Sequence, residues 1–354
     1  MNGTYLLPGA EFFVAIDNKG LWPNLTLLPN GEIAAAVYNH PSHGFGCGDV
    51  ECWVSADQGR TWGFRSKITD HSEDPKLTRM NHAVGLNQDG HLVALVSGWS
   101  EGRKPPALPV QKCVSKDDGL TWDRSLLDVY AIPYGDIITT DDDSLYCAAY
   151  GKNRPVDTDY AAFLYESVDH GLTWRRKATI SDNATESALM RLASGRYMTA
   201  ARTHGGDAEI GESVSVMISS DSGETWEKQR QMSLPMQHPA HLARLSDHAI
   251  LLTYGSRING IYGVVMRISR DNGETWTNPR TLISMAERSD CGYPSSVQLA
   301  DGTIVTAYYF GPKMTAAKFP NGLPWHRNYH MGIARWSLNE DTFENQEVPW
   351  IVNY

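Results

Sequence analysis

The octet SADQGRTW, Ser55 to Trp62, is the first of five close copies. The others are SKDDGLTW (Ser115 to Trp122), SVDHGLTW (Ser167 to Trp174), SSDSGETW (Ser219 to Trp226) and SRDNGETW (Ser269 to Trp276), so the form S-x-D-x-G-x-T-W recurs every 50 to 60 residues. A fixed period of this length marks an array of one supersecondary unit. The octet has the chemistry of a tight turn between strands. Its Asp can accept from turn amides, its Gly tolerates positive φ, its Thr is β-branched, and its Trp is an apolar plate with one N–H to satisfy. Because the carboxylate is engaged by its own turn, the octet reads as structural rather than catalytic.

A second periodicity is offset from the first. Six segments each hold an apolar strand, a short polar turn and another apolar strand: Leu21 to Tyr38, Asn81 to Val96, Tyr134 to Tyr150, Glu186 to Arg202, Pro239 to Gly255 and Tyr293 to Tyr309. Their turns carry Asn-Gly, Asp-Gly, Asp-Asp, Ser-Gly, Asp-His and Asp-Gly, mostly the residues that two-residue hairpin loops need. Each hairpin leads to a third strand, an octet and a fourth strand that opens with the octet Trp. The last hairpin has a third strand near His330 to Trp336 but no octet. These units predict an all-β chain, a six-bladed β-propeller of four-stranded antiparallel sheets. Residues 1–354 are expected to form one domain, with an N-terminal strand around Glu11 to Ile16 completing the last blade.

Composition fits that reading. Hydrophobic residues make up 41% and charged residues 20% of the chain, and the formal charge is −10. The acidic balance and the lack of a basic run argue against nucleic acid as a partner, and no apolar run is long enough for a membrane helix. The start, MNGTYLLPG, has neither a basic segment nor an apolar core, so no signal peptide is expected in it. That reads as cytoplasmic for a complete chain, and as secreted or periplasmic if a leader precedes it. Five cysteines without Cys-x-x-Cys spacing are expected to be thiols. No H-x-x-x-H pattern lies on a helix, and neither a catalytic metal nor a cofactor is expected. Oligomeric state is left open.

In a propeller the innermost strands converge on a central channel, and loops leaving the second strands overhang its mouth. Those positions hold Trp22 and Asn24, then His40, His43 and Asp49 in one loop, Asn81 and His82, Tyr134 and Asp136, and Glu186 with Arg202 and His204. The last two units add His238, His241 and Arg257, then Tyr293 with His326 and His330. Imidazoles, arginines, carboxylates and aromatic faces together suit a carboxylated sugar. Arg clamps the anion, rings stack on the sugar, and Glu, Asp or His moves protons.

The octets resemble the Asp-boxes, or bacterial neuraminidase repeats, of the sialidase superfamily, and the whole chain is similar in plan. The resemblance implies that Tyr293 in GYPSSVQLADG is a nucleophile, Glu186 in TESALMRLASGR its base, and Arg202 and Arg257 two members of an arginine triad. It breaks in the first unit, where sialidases carry an arginine in R-I-P and this chain reads Leu21-Trp22-Pro23. That departure points to a sugar other than sialic acid. The expected activity is an exo-acting glycoside hydrolase of sialidase type, with Asp136, Asp49 or a loop histidine such as His40 as proton donor. The substrate is a glycan with a terminal acidic sugar. The alternative is a uronate-cleaving lyase or histidine-dependent rhamnosidase, with His40, His82 or His241 moving the proton. A third reading is a sugar-binding propeller without catalysis.

Overall fold

The computed structural model describes residues 5–44, 46–72, 74, 76–100, 106–152, 160–204, 211–284, 289–311 and 329–338, and these contain strands and turns but no α-helix. Two strands, β1 (Tyr5–Leu6) and β2 (Glu11–Ile16), precede the first meander, β3 (Leu21–Leu27), β4 (Ile33–Tyr38), β5 (Val50–Ser55) and β6 (Gly63–Lys67). The second meander is β7 (Thr78–Leu86), β8 (Leu92–Trp99), β9 (Gln111–Ser115) and β10 (Asp123–Leu126), and the third is β11 (Ile132–Thr139), β12 (Leu145–Lys152), β13 (Tyr160–Ser167) and β14 (Arg175–Ser181). Next come β15 (Ala184–Arg191), β16 (Tyr197–Thr203), β17 (Ser213–Ser219) and β18 (Glu227–Gln231), then β19 (Ala240–Arg244), β20 (Ile250–Ser256), β21 (Gly263–Ser269) and β22 (Arg280–Ser284). The last meander is β23 (Gly292–Gln298), β24 (Ile304–Phe310) and β25 (His330–Trp336).

Within each meander neighbouring strands are antiparallel, and the chain builds four-stranded sheets. Two modifications stand out. The second and third meanders merge into one eight-stranded sheet, because β11 pairs in parallel with β7 through Gly135↔Ala83 and Asp136↔Val84. The last meander takes its fourth strand from the opposite end of the chain, β2 pairing with β25 from Glu11↔Arg335 to Ile16↔Met331. β1 adds a fifth strand beside β22.

The octets are the turns between third and fourth strands. All five share the Asp–Thr and Ser–Gly hydrogen bonds, and in four the Trp also donates to the Gly carbonyl, whereas Trp122 Nε1 donates to Ser66 Oγ at 2.9 Å. In the first, Asp57 accepts from the Thr61 amide at 2.8 Å and from its hydroxyl at 2.6 Å, the Ser55 hydroxyl accepts from Gly59 N at 2.8 Å, and Trp62 Nε1 donates to Gly59 O at 3.0 Å. Gly59 has φ 88°, where a Cβ would also meet Val305 at 2.9 Å, so both backbone and packing require glycine. In four repeats the fourth strand starts one residue after the Trp. In the fifth it starts at Arg280, four residues beyond Trp276, since Pro279 has no N–H to give the ladder.

The core lies between meanders rather than within one. Trp122 packs among residues of the second and first, Trp174 of the third and second, Trp226 of the fourth and third, and Trp276 of the fifth and fourth. Trp62 packs with Ile33, Val305 and Ile333, which joins the first meander to the last. Between the fifth and the last, where no octet exists, Trp336 fills the gap and donates to Thr306 Oγ1 at 3.1 Å. Apolar packing therefore passes from each meander to the next and returns from the last to the first, which directs the inner strands β3, β7, β11, β15, β19 and β23 towards a common axis.

Candidate active site

The leading ends of five of these six inner strands depart from regular pairing, whereas β19 keeps an unbroken register with β20. The register jumps between Leu21 and Asn24 in β3, Arg79 and Asn81 in β7, Tyr134 and Ile137 in β11, Ala184 and Ser187 in β15, and Gly292 and Ser295 in β23. A bulge frees residues from the ladder and re-aims their side chains. The residues released include Trp22, Asp136, Glu186 and Tyr293. Trp22 and Tyr293 take left-handed backbone angles, φ 52° and 49°, each followed by proline. For large aromatic side chains that is a sparsely populated conformation, held by the surrounding structure.

Tyr293 and Glu186 meet at the axis. The phenol donates to Oε1 of Glu186 in a short hydrogen bond, and Arg202 Nη1 donates to Oε2 of the same carboxylate at 2.7 Å. Arg202 also donates from Nε to Glu212 at 2.8 Å, and Glu212 lies 3.0 Å from His204 Nδ1 and 3.6 Å from His238 Nε2. Burial by itself would raise the Glu186 carboxyl. The charge of Arg202, with hydrogen bonds from Tyr293 and Arg202, outweighs it and holds the group below its ordinary 4.5. Burial and the Glu186 charge together push the Tyr293 phenol well above 10. The pair thus rests as a carboxylate accepting from a neutral phenol. Burial, then the positive charges of Arg202 and Arg257, lower His238 to about 2 and keep it neutral.

Arg257 stands over the Tyr293 ring, its guanidinium carbon 5.5 Å from the centroid. Its Nε and Nη2, the two donors of one guanidinium edge, are buried and make no hydrogen bond, and Asp290 lies 3.8 Å from Nη2. Asp290 also accepts from the phenols of Tyr309 and Tyr329 and lies 2.8 Å from His43 Nδ1. His43 is edge-on to Trp22 at 5.0 Å, and Trp22 stacks on Tyr38 at 5.6 Å and stands 6.3 Å from Tyr293. Glu212, Asp290, Tyr309 and Tyr329 were not legible as site residues in the sequence. The signal open to the reader was position: Asp290 lies three residues before Tyr293, and Tyr309 closes that hairpin.

Below Tyr293 the channel is narrow. Trp22, Asn24, His82, Tyr134, Glu186, His241 and Tyr293 are among the residues around about 30 Å³ of space, enough for about two waters. That space is too small for a sugar ring, and beside it Arg202, His204, Glu212 and His43 keep partial exposure. Tyr134 donates to Ala240 O at 2.9 Å, and its ring stands 6.2 Å from Tyr293.

Several expected site residues are placed differently. Asp136 does not join Tyr293; it closes the channel floor, accepting from Asn24 Nδ2 at 2.8 Å and lying 3.1 Å from His241 Nε2. His241 Nδ1 accepts from Ser296 N at 3.3 Å, which leaves Nε2 to carry the proton towards Asp136. The β11 bulge and the parallel pairing of Asp136 with Val84 turn this residue away from the mouth. Asp49 is fully buried beneath its loop, accepting from Thr69 Oγ1 at 3.1 Å and lying 2.7 Å from His71 Nδ1. His82 is buried with Nδ1 3.0 Å from Met80 O and Nε2 3.2 Å from Ala36 O, so the backbone takes both nitrogens. His40 Nδ1 is 2.7 Å from Ser42 Oγ within its own loop. His330 Nδ1 pairs with Asp17 at 2.6 Å. His326 lies outside the described residues. All five cysteines are free thiols, and among the described residues no group of three or more His, Cys, Asp or Glu could hold a metal.

Sequence comparison aligns residues 35–306 with the BNR repeat-like domain. The chain belongs to that BNR repeat-like family. A search of curated proteins finds no match. Among solved structures, this BNR repeat-like chain is similar to a Dyadobacter fermentans protein of unknown function, at 21% identity and TM-score 0.76, covering 93% of this chain and 99% of that one. It is also similar to a Hadza microbial sialidase, at 18% identity and TM-score 0.69 over 90% of this chain, of which it spans 66%. A Penicillium chrysogenum α-L-arabinanase complexed with arabinobiose follows, at 14% identity and TM-score 0.66, covering 92% of this chain and 98% of that one. Identities this low establish a shared all-β fold, and function rests on the site.

Proposed function

We propose that this BNR repeat-like chain is a six-bladed, single-domain propeller. We further propose that it is a glycoside hydrolase removing a terminal acidic sugar from a glycan. The observation that carries the reading is the Tyr293–Glu186 hydrogen bond beside two arginines. A phenol that donates to a buried carboxylate is an activated nucleophile. In the first step Glu186 takes the phenolic proton as the Tyr293 oxygen bonds to the anomeric carbon. The glycosidic C–O bond breaks, and the leaving oxygen takes a proton from the rim. Water then attacks the anomeric carbon, giving its proton to the rim group that protonated the leaving oxygen; the tyrosyl–sugar C–O bond breaks and Glu186 returns its proton to the phenolate oxygen.

With Asp136 on the floor and Asp49 beneath its loop, His43 is the donor that this reading favours, oriented by Asp290 and set against Trp22. The open Nε–Nη2 edge of Arg257 matches the two oxygens of a carboxylate. Leu21 stands where sialidases keep the R-I-P arginine, and the neighbouring Trp22 offers a sugar a ring face in place of that charge. The uronate-cleaving alternative loses support, because His82 and His241 are both held by internal partners.

The test is incubation with oligosaccharides ending in a carboxylated sugar and with their neutral analogues, with products read by NMR. Release of the intact acidic sugar by wild type, and its loss in Tyr293→Phe, is the expected result. An unsaturated uronate product, or full release by Tyr293→Phe, would overturn it.

A further inference from the structure

The channel has a second chamber on the far side of the Asn24–Asp136–His241 floor, and it is the larger one, about 360 Å³. It is formed by the trailing halves of β3, β11, β15, β19 and β23; β7 is absent from it, since β11 lies directly against that strand. Its walls are mostly apolar, with Leu25, Ile138, Leu189 and Leu242 among the lining residues. Its volume falls within the roughly 300–1,000 Å³ usual for small-molecule sites.

Charge is distributed unevenly along it. Two arginines, Arg191 and Arg244, end β15 and β19 at the outer rim, and Arg244 Nη2 donates to the backbone oxygen of Arg191. Arg191 is matched by Asp141, yet its Nε is buried without a hydrogen bond. Arg244 has no carboxylate partner among the described residues, and the Arg191 charge beside it, after burial, opposes its protonated form. At the inner end stands the carboxylate of Asp136. An anion is therefore attracted at the rim and repelled at the floor, and the space between offers mostly apolar contacts, with Ser296 and Gln298 as its polar members.

We propose that this lower chamber is a second binding site whose ligand is a small amphipathic monoanion, an alkyl or aryl carboxylate. Its charge sits at Arg191 and Arg244, and its apolar body lies between Leu25, Ile138, Leu189 and Leu242. Removing that body from water supplies most of the affinity, and the arginines fix its orientation.

The test uses the full chain and isothermal titration with octanoate, 1-octanol and acetate. Octanoate is expected to bind saturably with a stoichiometry of one, with octanol and acetate weaker by at least about tenfold, since a charge-assisted contact and an eight-carbon chain each exceed that factor. Arg244→Gln, at an exposed strand end where folding does not depend on the side chain, should weaken octanoate by about tenfold or more. Tyr293→Phe, on the other side of the floor, should leave octanoate binding unchanged. Absence of saturable binding, equal affinity for octanol, or loss in Tyr293→Phe with none in Arg244→Gln would each overturn the proposal.

Discussion

Tyr293 and Glu186 are 107 residues apart in sequence and share a hydrogen bond between phenol and carboxylate at the propeller axis. Each reaches it from a bulge in its own inner strand. The carboxylate is ionised and the phenol neutral, so only loss of the phenolic proton separates the resting state from an attacking oxygen. Glu186→Gln keeps the shape and removes the proton acceptor, and Arg202 keeps Glu212 as partner, so the fold should survive. The expected result is a fall in kcat of about 10²–10⁴-fold with KM little changed. Steady-state kinetics on an acidic-sugar oligosaccharide that the incubations proposed above show to be cleaved check it, with circular dichroism as the control for folding.

Acid pH acts on this group and on the octet turns in the same direction. Glu186 is held below 4.5, and the turn bonds hold Asp57 and Asp221 at about 2. These folded-state values are depressed, so the stabilisation is complete above the unfolded-state values and is lost as pH falls through the folded ones. His238, held neutral in the folded chain at about 2, adds a loss that begins once pH falls below the unfolded histidine value near 6.5, so melting temperature should decline from about pH 6.5 and fall more steeply between about pH 4 and 2. Any acid limb of kcat that belongs to Glu186 should lie below pH 4.5. A melting temperature that stays flat from about pH 7 down to about 5 would show that His238 is not held neutral in the folded chain.

Among the described residues, none hydrogen-bonds the Nε and Nη2 donors of Arg257, and Asp290 lies 3.8 Å from Nη2. Arg257→Lys retains a positive charge but not the fork, so it should fail to rescue acidic substrates. Losing a charge-assisted pair costs about 1.5–3 kcal/mol, or roughly 10–150-fold in kcat/KM. The same variant should change kcat/KM for a neutral analogue by much less. Equal losses on both substrates would indicate that Arg257 positions Tyr293 rather than binding a carboxylate.

The repeats were legible because their chemistry is local. An octet sets its own turn through Asp57 and Thr61, and Trp62 is conspicuous wherever it packs. Tyr293, Glu186, Arg202 and Arg257 were legible from their place in the hairpins and from resemblance. Asp136 was misplaced because strand alternation cannot be counted across a bulge, and its residue is one that the bulge releases. Asp290 and Glu212 escaped notice because they precede strands in segments that carry no repeated pattern, so nothing in the sequence tied them to Tyr309 and Arg202 of their own units or to His43 and His238 of others.

Asp49 separates structural from catalytic carboxylates in one experiment. Its side chain has no solvent exposure and is bonded to Thr69 and His71, with Lys67 at 3.6 Å. Thr69 in turn accepts from Val50 N at 3.0 Å, so this carboxylate ties the start of β5 to the segment after β6. Replacing it with Ala leaves these donors facing an apolar gap, at a cost of about 2–4 kcal/mol. Asp49→Ala should therefore lower the melting temperature by several degrees while the folded enzyme keeps its kcat, KM and pH profile. Glu186→Gln should show the reverse, a lost kcat on a melting temperature close to wild type. If Asp49→Ala instead moved the pH profile of kcat, Asp49 would be the proton donor and His43 would not.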